Sequence, residues 1–163
     1  MMTTRKLTIS AMVVALYIVL IYLTQGISFG AYQIRIATSL YALAYAFPFL
    51  IIPMGIGNLM SNFLFGGLGI LDMVGGFGVG ILTTAIIVWM RRMGLATWWV
   101  TVPIVLVPAL CVPLWLSLLI GVPYGALVLN LVIGQTIPGI VGSVLVKALI
   151  GHRSMATLSG LIK

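Results

Sequence analysis

The stretch LTISAMVVALYIVLIYL, residues 7–23, holds no charged side chain and follows directly on Arg5-Lys6. Read as an α-helix, at a rise of about 1.5 Å per residue, it covers about 25 Å and crosses the hydrocarbon of a bilayer with modest help from its flanks. It does not alternate apolar with polar residues, as a barrel strand in a membrane must. As a secretory leader its apolar part is too long and lacks a clear small-residue cleavage site, so it is expected to remain as a first membrane span.

Working outward, comparable stretches recur almost to the C-terminus. With 63% hydrophobic and 6% charged residues in 163, the chain has no polar skin for a water-soluble fold of this size. We read it as one all-α integral membrane domain over 1–163, a bundle of six transmembrane helices with no linker or second domain. Gln25, Gly26, Ser28 and Gly30 end the first span, and a second is expected over 35–47. Pro48 and Pro53 divide what is otherwise too long an apolar run, giving a third span over 49–65. Gly66, Gly67 and Gly69 precede a fourth span that opens at Asp72 and runs over 72–90. A fifth is read over 98–120, with Pro103, Pro108 and Pro113 inside it and kinks expected there. Gly121, Pro123 and Gly125 turn the chain into a sixth, 126–150.

The formal charge of +7 is distributed to fix orientation. Arg5, Lys6, Arg91, Arg92, Lys147, Arg153 and Lys163 stand at or near the ends of apolar segments. With six spans and a cytoplasmic N-terminus they fall inside, both termini are cytoplasmic, and only Arg35 and Asp72 carry charge at the outer face. No basic stripe interleaves with aromatics, so nucleic acid is not an expected partner. The expected surroundings are a cell membrane, crossed several times.

Asp72 is the one carboxylate in the chain and His152 the one histidine. That composition excludes paired-carboxylate hydrolysis, acid-assisted triads and most metal cages, and no phosphate-cradling loop with its lysine is present. An enzyme acting on lipids lacks an acid–base set here. No cofactor or metal is called for. Cys111 stands alone in an apolar run between Pro108 and Pro113 and reads as a small packed residue. Intramembrane ionisable groups for proton or sodium coupling are nearly absent, which favours an energising partner over a stand-alone secondary transporter or channel.

Arg35 and Asp72 suit the rim of a ligand cavity, Arg35 as a donor of paired hydrogen bonds and Asp72 as an acceptor. The alternatives are snorkelling to the interface, an ion pair joining two helix ends, or an N-cap role for Asp72. Asn58 and Asn62 are one turn apart and share a face, while Asn130 and Gln135 lie in the sixth span; buried amides ordinarily join helices. Asn62 and Asn130 are nearer the outer ends and are the two expected to reach the ligand. Tyr32, Tyr41, Trp115 and Tyr124 offer rings for a flat ligand. The small residues Ala11 and Ala15, four apart with Ser10 beside them, make a flat stripe for close helix approach, either within the bundle or against a partner. The stripes Gly76 to Gly80 and Gly134 with Gly142 are expected to pack internally.

These residues resemble the substrate-binding S components of energy-coupling factor (ECF) vitamin transporters, and among them the QueT family. Gln33-Ile34-Arg35-Ile36 resembles that family's Q-x-R-V stretch. The run Asn62-Phe63-Leu64-Phe65-Gly66-Gly67-Leu68-Gly69-Ile70-Leu71-Asp72 resembles its N-x-x-x-G-G-x-G-x-x-D region, and Ala11-x-x-x-Ala15 is similar to the docking signature of S components. The resemblance implies a subunit that captures a small vitamin-like ligand, a queuosine precursor of the deazaguanine type. It would work with an ECF transmembrane subunit, reached through Ala11 and Ala15, and with two ATPase subunits. Gln33, Arg35, Thr38, Asn62, Asp72, Trp115 and Asn130 are then the expected ligand contacts. Thr38 is a departure, since the family pattern places a glutamate there.

Overall fold

The computed structural model describes residues 3–30 and 32–151; His152, Arg153 and Lys163, read above as a basic tail, lie outside the described residues. All regular structure in the described residues is helical. Apart from a single turn at Gln25–Ser28, in chain order it comprises α1 (Thr4–Leu23), α2 (Ile36–Ala46), α3 (Pro48–Gly66), α4 (Ile70–Arg92), α5 (Thr97–Ile120) and α6 (Tyr124–Gly151). Every one of these but α2 is long and apolar enough to cross a membrane, and the protein is a multi-pass membrane protein.

The second expected span is therefore the one that differs. Helix α2 has seven residues in 3-10 turns, Ile36–Ala42, followed by four in α-helix, Leu43–Ala46. With rises of about 2.0 and 1.5 Å per residue it reaches about 20 Å, against a hydrocarbon core of about 30 Å. Its end is set by Pro48, which drives Phe47 out of the helical region to φ −125° and ψ 81°. Residues Ala37 to Ala42 are all buried, so α2 meets other helices rather than lipid and is not held to the bilayer thickness. The stretched 3-10 turns gain reach from few residues.

Contacts at the two ends show that successive helices run in opposite directions. At one end Arg91 Nη1 donates to the carbonyls of Tyr45 and Ala46 at 2.8 and 3.0 Å, closing the end of α2. Tyr45 donates to the Leu95 carbonyl at 2.7 Å, and Lys147 Nζ lies 5.2 Å from the Trp98 ring centroid. At the opposite end stand Arg35, Asn62, Asp72 and Trp115.

The main core gathers Tyr17, Ile21, Tyr41, Leu50, Met54, Ile87, Ile104 and Val146 from all six helices. In lipid, helices gain little from burying apolar surface, so close approach and polar links carry the association. Glycines supply the approach. A Cβ on Gly80 would stand 3.0 Å from Gly55 Cα across the α3–α4 contact, and one on Gly134 would overlap the Tyr32 carbonyl oxygen. Gly76 and Gly142 are buried against side chains and backbone of neighbouring helices, so the glycine stripes pack internally as expected. Ala11 and Ala15 do not. Both are exposed on the outer face of α1 beside Met12, Leu16 and Val19, while Ser10 turns inward and donates to the Lys6 carbonyl at 2.8 Å.

Candidate ligand-binding site

The site forms where four local features meet. The chain leaves α1 through a single helical turn, Gln25–Ser28, and then adopts a left-handed conformation at Gln33, with φ 46°. For a residue with a Cβ this conformation costs roughly 1–2 kcal/mol. It is held by Gln135 Nε2, which donates to the Gln33 carbonyl at 2.9 Å, and by the Gln33 N–H to Gly30 O bond at 3.0 Å. This bend feeds Arg35 into the bundle.

The second feature is the end of α3, which widens into a π-helical turn over Asn62–Gly66 before Gly67 closes it at φ 68°. Such turns are rare and recur at functional positions. Here the turn carries Asn62. The third is the start of α4, where Gly69 occupies the N-cap position and Asp72 sits in the first turn. Asp72 is thus not the N-cap, but a carboxylate there complements the positive helix end. The fourth is a break in α5 at Val112–Pro113. Pro113 has no N–H for the Ala109 carbonyl, so the helix restarts two residues before Trp115.

Asn62 links these parts. Its Oδ1 accepts from Arg35 Nη2 at 2.9 Å, and its Nδ2 donates to the Asp72 backbone carbonyl at 3.0 Å. Because guanidinium only donates and a carbonyl only accepts, this fixes which way the Asn62 amide faces. Arg35 Nη2 also donates to Ser61 Oγ at 3.0 Å, and the guanidinium lies 5.2 Å from the Phe29 ring centroid. Trp115 Nε1 donates to Asp72 Oδ1 at 3.0 Å. The glycines of Gly75-Gly76 make room on two sides. A Cβ on Gly75 would stand 2.6 Å from the Trp115 ring, and one on Gly76 would stand 2.6 Å from Asn62 Nδ2. Gly66 leaves space for Asp72 Oδ2 in the same way.

Arg35 and Asp72 are therefore joined through Asn62, the indole holds the Asp72 carboxylate, and neither charge simply snorkels. Asn62 is 3% and Asp72 7% exposed, which places both inside the bundle rather than on its rim. Thr38 is also buried; its hydroxyl lies 2.7 Å from the Arg35 carbonyl and 2.8 Å from Gln135 Oε1, bracing the bend. A cavity of about 330 Å³ opens beside this cluster, lined by Phe29, Gln33, Leu68, Leu116 and Asn130 among others. Beneath it are two voids of about 20 Å³ each. One reaches Asn62, Asp72 and Trp115, the other Thr38, Tyr41 and Gln135, and both touch Gln33, Arg35 and Asn58.

Six of the seven expected ligand contacts thus border this compartment. Asn130 lines the outer cavity instead, so it and Asn62 do not share one space. Tyr124 is turned away, its hydroxyl donating to the Leu110 carbonyl at 2.9 Å, and Tyr32 is half-exposed. The sequence reading left out Phe29, and it took Asn58 and Gln135 for amides that join helices rather than for ligand contacts. For Asn58 the signal was present, since it lies one turn before Asn62 on the same face.

Comparison with curated proteins and with solved structures gives no match. Residues 7–150, which hold the whole site and nearly all of the bundle, match the family described as QueT transporter, a transporter family rather than an enzyme family. The chain belongs to the QueT transporter family.

Proposed function

We propose that this protein is the substrate-capturing S component of an ATP-driven importer of the ECF type, taking a queuosine precursor of the deazaguanine class at its outer face. The observation that carries the proposal is the buried Arg35–Asn62–Asp72–Trp115 cluster opening on a cavity of about 330 Å³. A purine-sized base fits that volume. The cluster offers such a base a guanidinium donor, a carboxylate acceptor, and the rings of Phe29 and Trp115 for its faces. With Arg91 and Lys147 at the opposite end, the positive-inside rule turns this cluster outward and leaves both termini in the cytoplasm.

The described residues hold no group of three or more metal-ligating side chains, and the sequence has no nucleotide cradle. Energy for uptake then comes from partner chains, an ECF transmembrane subunit with two ATPases, and the exposed Ala11–Ala15 stripe is the surface on which the membrane subunit docks. Ligand capture is tested with purified protein and a panel of deazaguanines and vitamins, read by thermal shift. Deazaguanines alone are expected to stabilise the protein, and Arg35→Ala and Asp72→Asn to abolish the shift. Stabilisation by another vitamin class, or unchanged shifts in both variants, overturns the assignment.

A further inference from the structure

Two buried polar atoms in the compartment have no hydrogen-bond partner within the protein: Arg35 Nε, a donor, and Asn58 Oδ1, an acceptor. Asn58 is 4% exposed. An unmade hydrogen bond on a buried group is costly, and native interiors keep few of them. Both residues line both voids of about 20 Å³, and Asn58 Oδ1 lies toward Gly76, which lines the void that reaches Asp72.

Asn58 is held so that its oxygen stays on that side. Its Nδ2 donates to Tyr41 Oη at 2.7 Å, and Tyr41 Oη lies 3.3 Å from Tyr17 Oη, with the two rings stacked at 5.8 Å. Tyr41 Oη accepts from Asn58 Nδ2, and one of the two tyrosine hydroxyls donates to the other. Turning the amide over would bring an N–H₂ to the side of Gly76 where Asn62 Nδ2, another donor, already stands. The guanidinium is fixed as well, since Nη2 is already engaged by Ser61 and Asn62.

We propose that Asn58 Oδ1 and Arg35 Nε are the specificity-determining floor of the site, and that they read a ligand edge in which an acceptor stands beside an N–H donor, as in a lactam. This rests on the ligand-capture reading above and deepens it. Each void is the size of one water or one polar substituent. The compartment shares Phe29, Gln33 and Leu68 with the outer cavity, so the body of the ligand stays in the larger space while its edge reaches the floor. A site built this way rejects a look-alike without the edge, because floor atoms are left unpaired.

The test compares 7-deazaguanine with its 6-deoxo analogue, 2-amino-7-deazapurine, by calorimetric titration of the protein in nanodiscs. The wild type is expected to prefer the lactam at least about tenfold, and Asn58→Leu to shrink that preference to about threefold or less. Equal weakening of both bases, with the ratio kept, overturns the proposal, because a purely structural Asn58 would act that way. Should Asn58→Leu fail to assemble, Tyr41→Phe frees the amide to rotate and is expected to shrink the ratio as well; an unchanged ratio overturns the proposal. If the wild type binds neither base, the deazaguanine reading falls by itself. Hypoxanthine and its deoxo analogue purine then test the floor, and a wild type that does not prefer the lactam overturns it.

Discussion

Arg35 reaches Asn62 across 2.9 Å, and through that one amide a cation before α2 is tied to the first turn of α4. The contact joins residues 27 positions apart and lies in an apolar bundle, where a lost partner cannot be replaced by bulk water. We expect Asn62→Ala to destabilise the protein by about 2–4 kcal/mol, since it strips a bond from Arg35 and another from the α4 carbonyl. Ligand binding should fall together with the melting temperature. Arg35→Lys is expected to fare little better than Arg35→Ala, because an ammonium cannot reproduce the fork that meets Ser61 and Asn62 while lying over Phe29. A lysine variant with wild-type affinity would remove the guanidinium geometry from the argument.

Trp115 makes a second prediction possible with an optical readout. The other tryptophans, Trp89, Trp98 and Trp99, are 59%, 55% and 55% exposed and lie far along the bundle from the site, whereas Trp115 bonds to Asp72 and lines the compartment. Ligand-induced change in tryptophan fluorescence should come from Trp115 alone. Trp115→Phe keeps a ring over Gly75 and is expected to erase the optical signal, while calorimetry still detects binding weakened by about 1–2 kcal/mol for the lost bond to Asp72. A fluorescence response that persists in this variant would place the ligand elsewhere.

The architecture was readable in the sequence wherever composition alone decides it. Residues 7–23, the break at Gly66–Gly69 and the arginines at 91 and 92 each mark a boundary by hydropathy or charge, and the structure places helix ends within a few residues of them. The second span was readable in its bounds, 35–47 against Ile36–Ala46, but not in its geometry. Its length is set by 3-10 turns that depend on burial against five neighbouring helices, and no local pattern announces them. The same division runs through the site. Arg35 and Asp72 stand out because charge is scarce, and Asn62 follows from its place before the glycines. Phe29 does not stand out, being an ordinary aromatic in a loop, and Gln135 shows itself only as a buried amide, because its partners lie 97 and 102 residues away.

Gly134 shows how closely the bend before α2 is held. A Cβ at this position would overlap the Tyr32 carbonyl oxygen, a backbone atom that cannot swing aside as a side chain does. The neighbouring Gln135 also fixes the left-handed Gln33 and braces Thr38. Gly134→Ala is expected to cost at least about 1–3 kcal/mol from overpacking, and to weaken binding by displacing Gln33 and Arg35. Gly78→Ala is the matched control, because nothing lies within 4 Å of a Cβ there and alanine favours the helix. Melting temperatures of the pair should diverge, Gly134→Ala falling and Gly78→Ala holding or rising.

The docking role proposed for the α1 stripe predicts that capture and transport can be separated by mutation. Ala11 and Ala15 are exposed on the bundle's outer face, on the half of α1 away from Arg35, so a larger side chain there disturbs neither the core nor the site. Small residues beside the exposed Met12, Leu16 and Val19 let another helix approach at close range. Ala11→Leu puts a bulky side chain where that approach would be made. We expect it to bind ligand with wild-type affinity and to melt at the wild-type temperature, yet to lose most ATP-dependent uptake in proteoliposomes containing the ECF subunits. Met12→Leu, which keeps the volume beside the stripe, should retain uptake. Full uptake by Ala11→Leu would move the docking surface off α1, whereas lost ligand binding would mean that α1 is coupled to the site through the bundle.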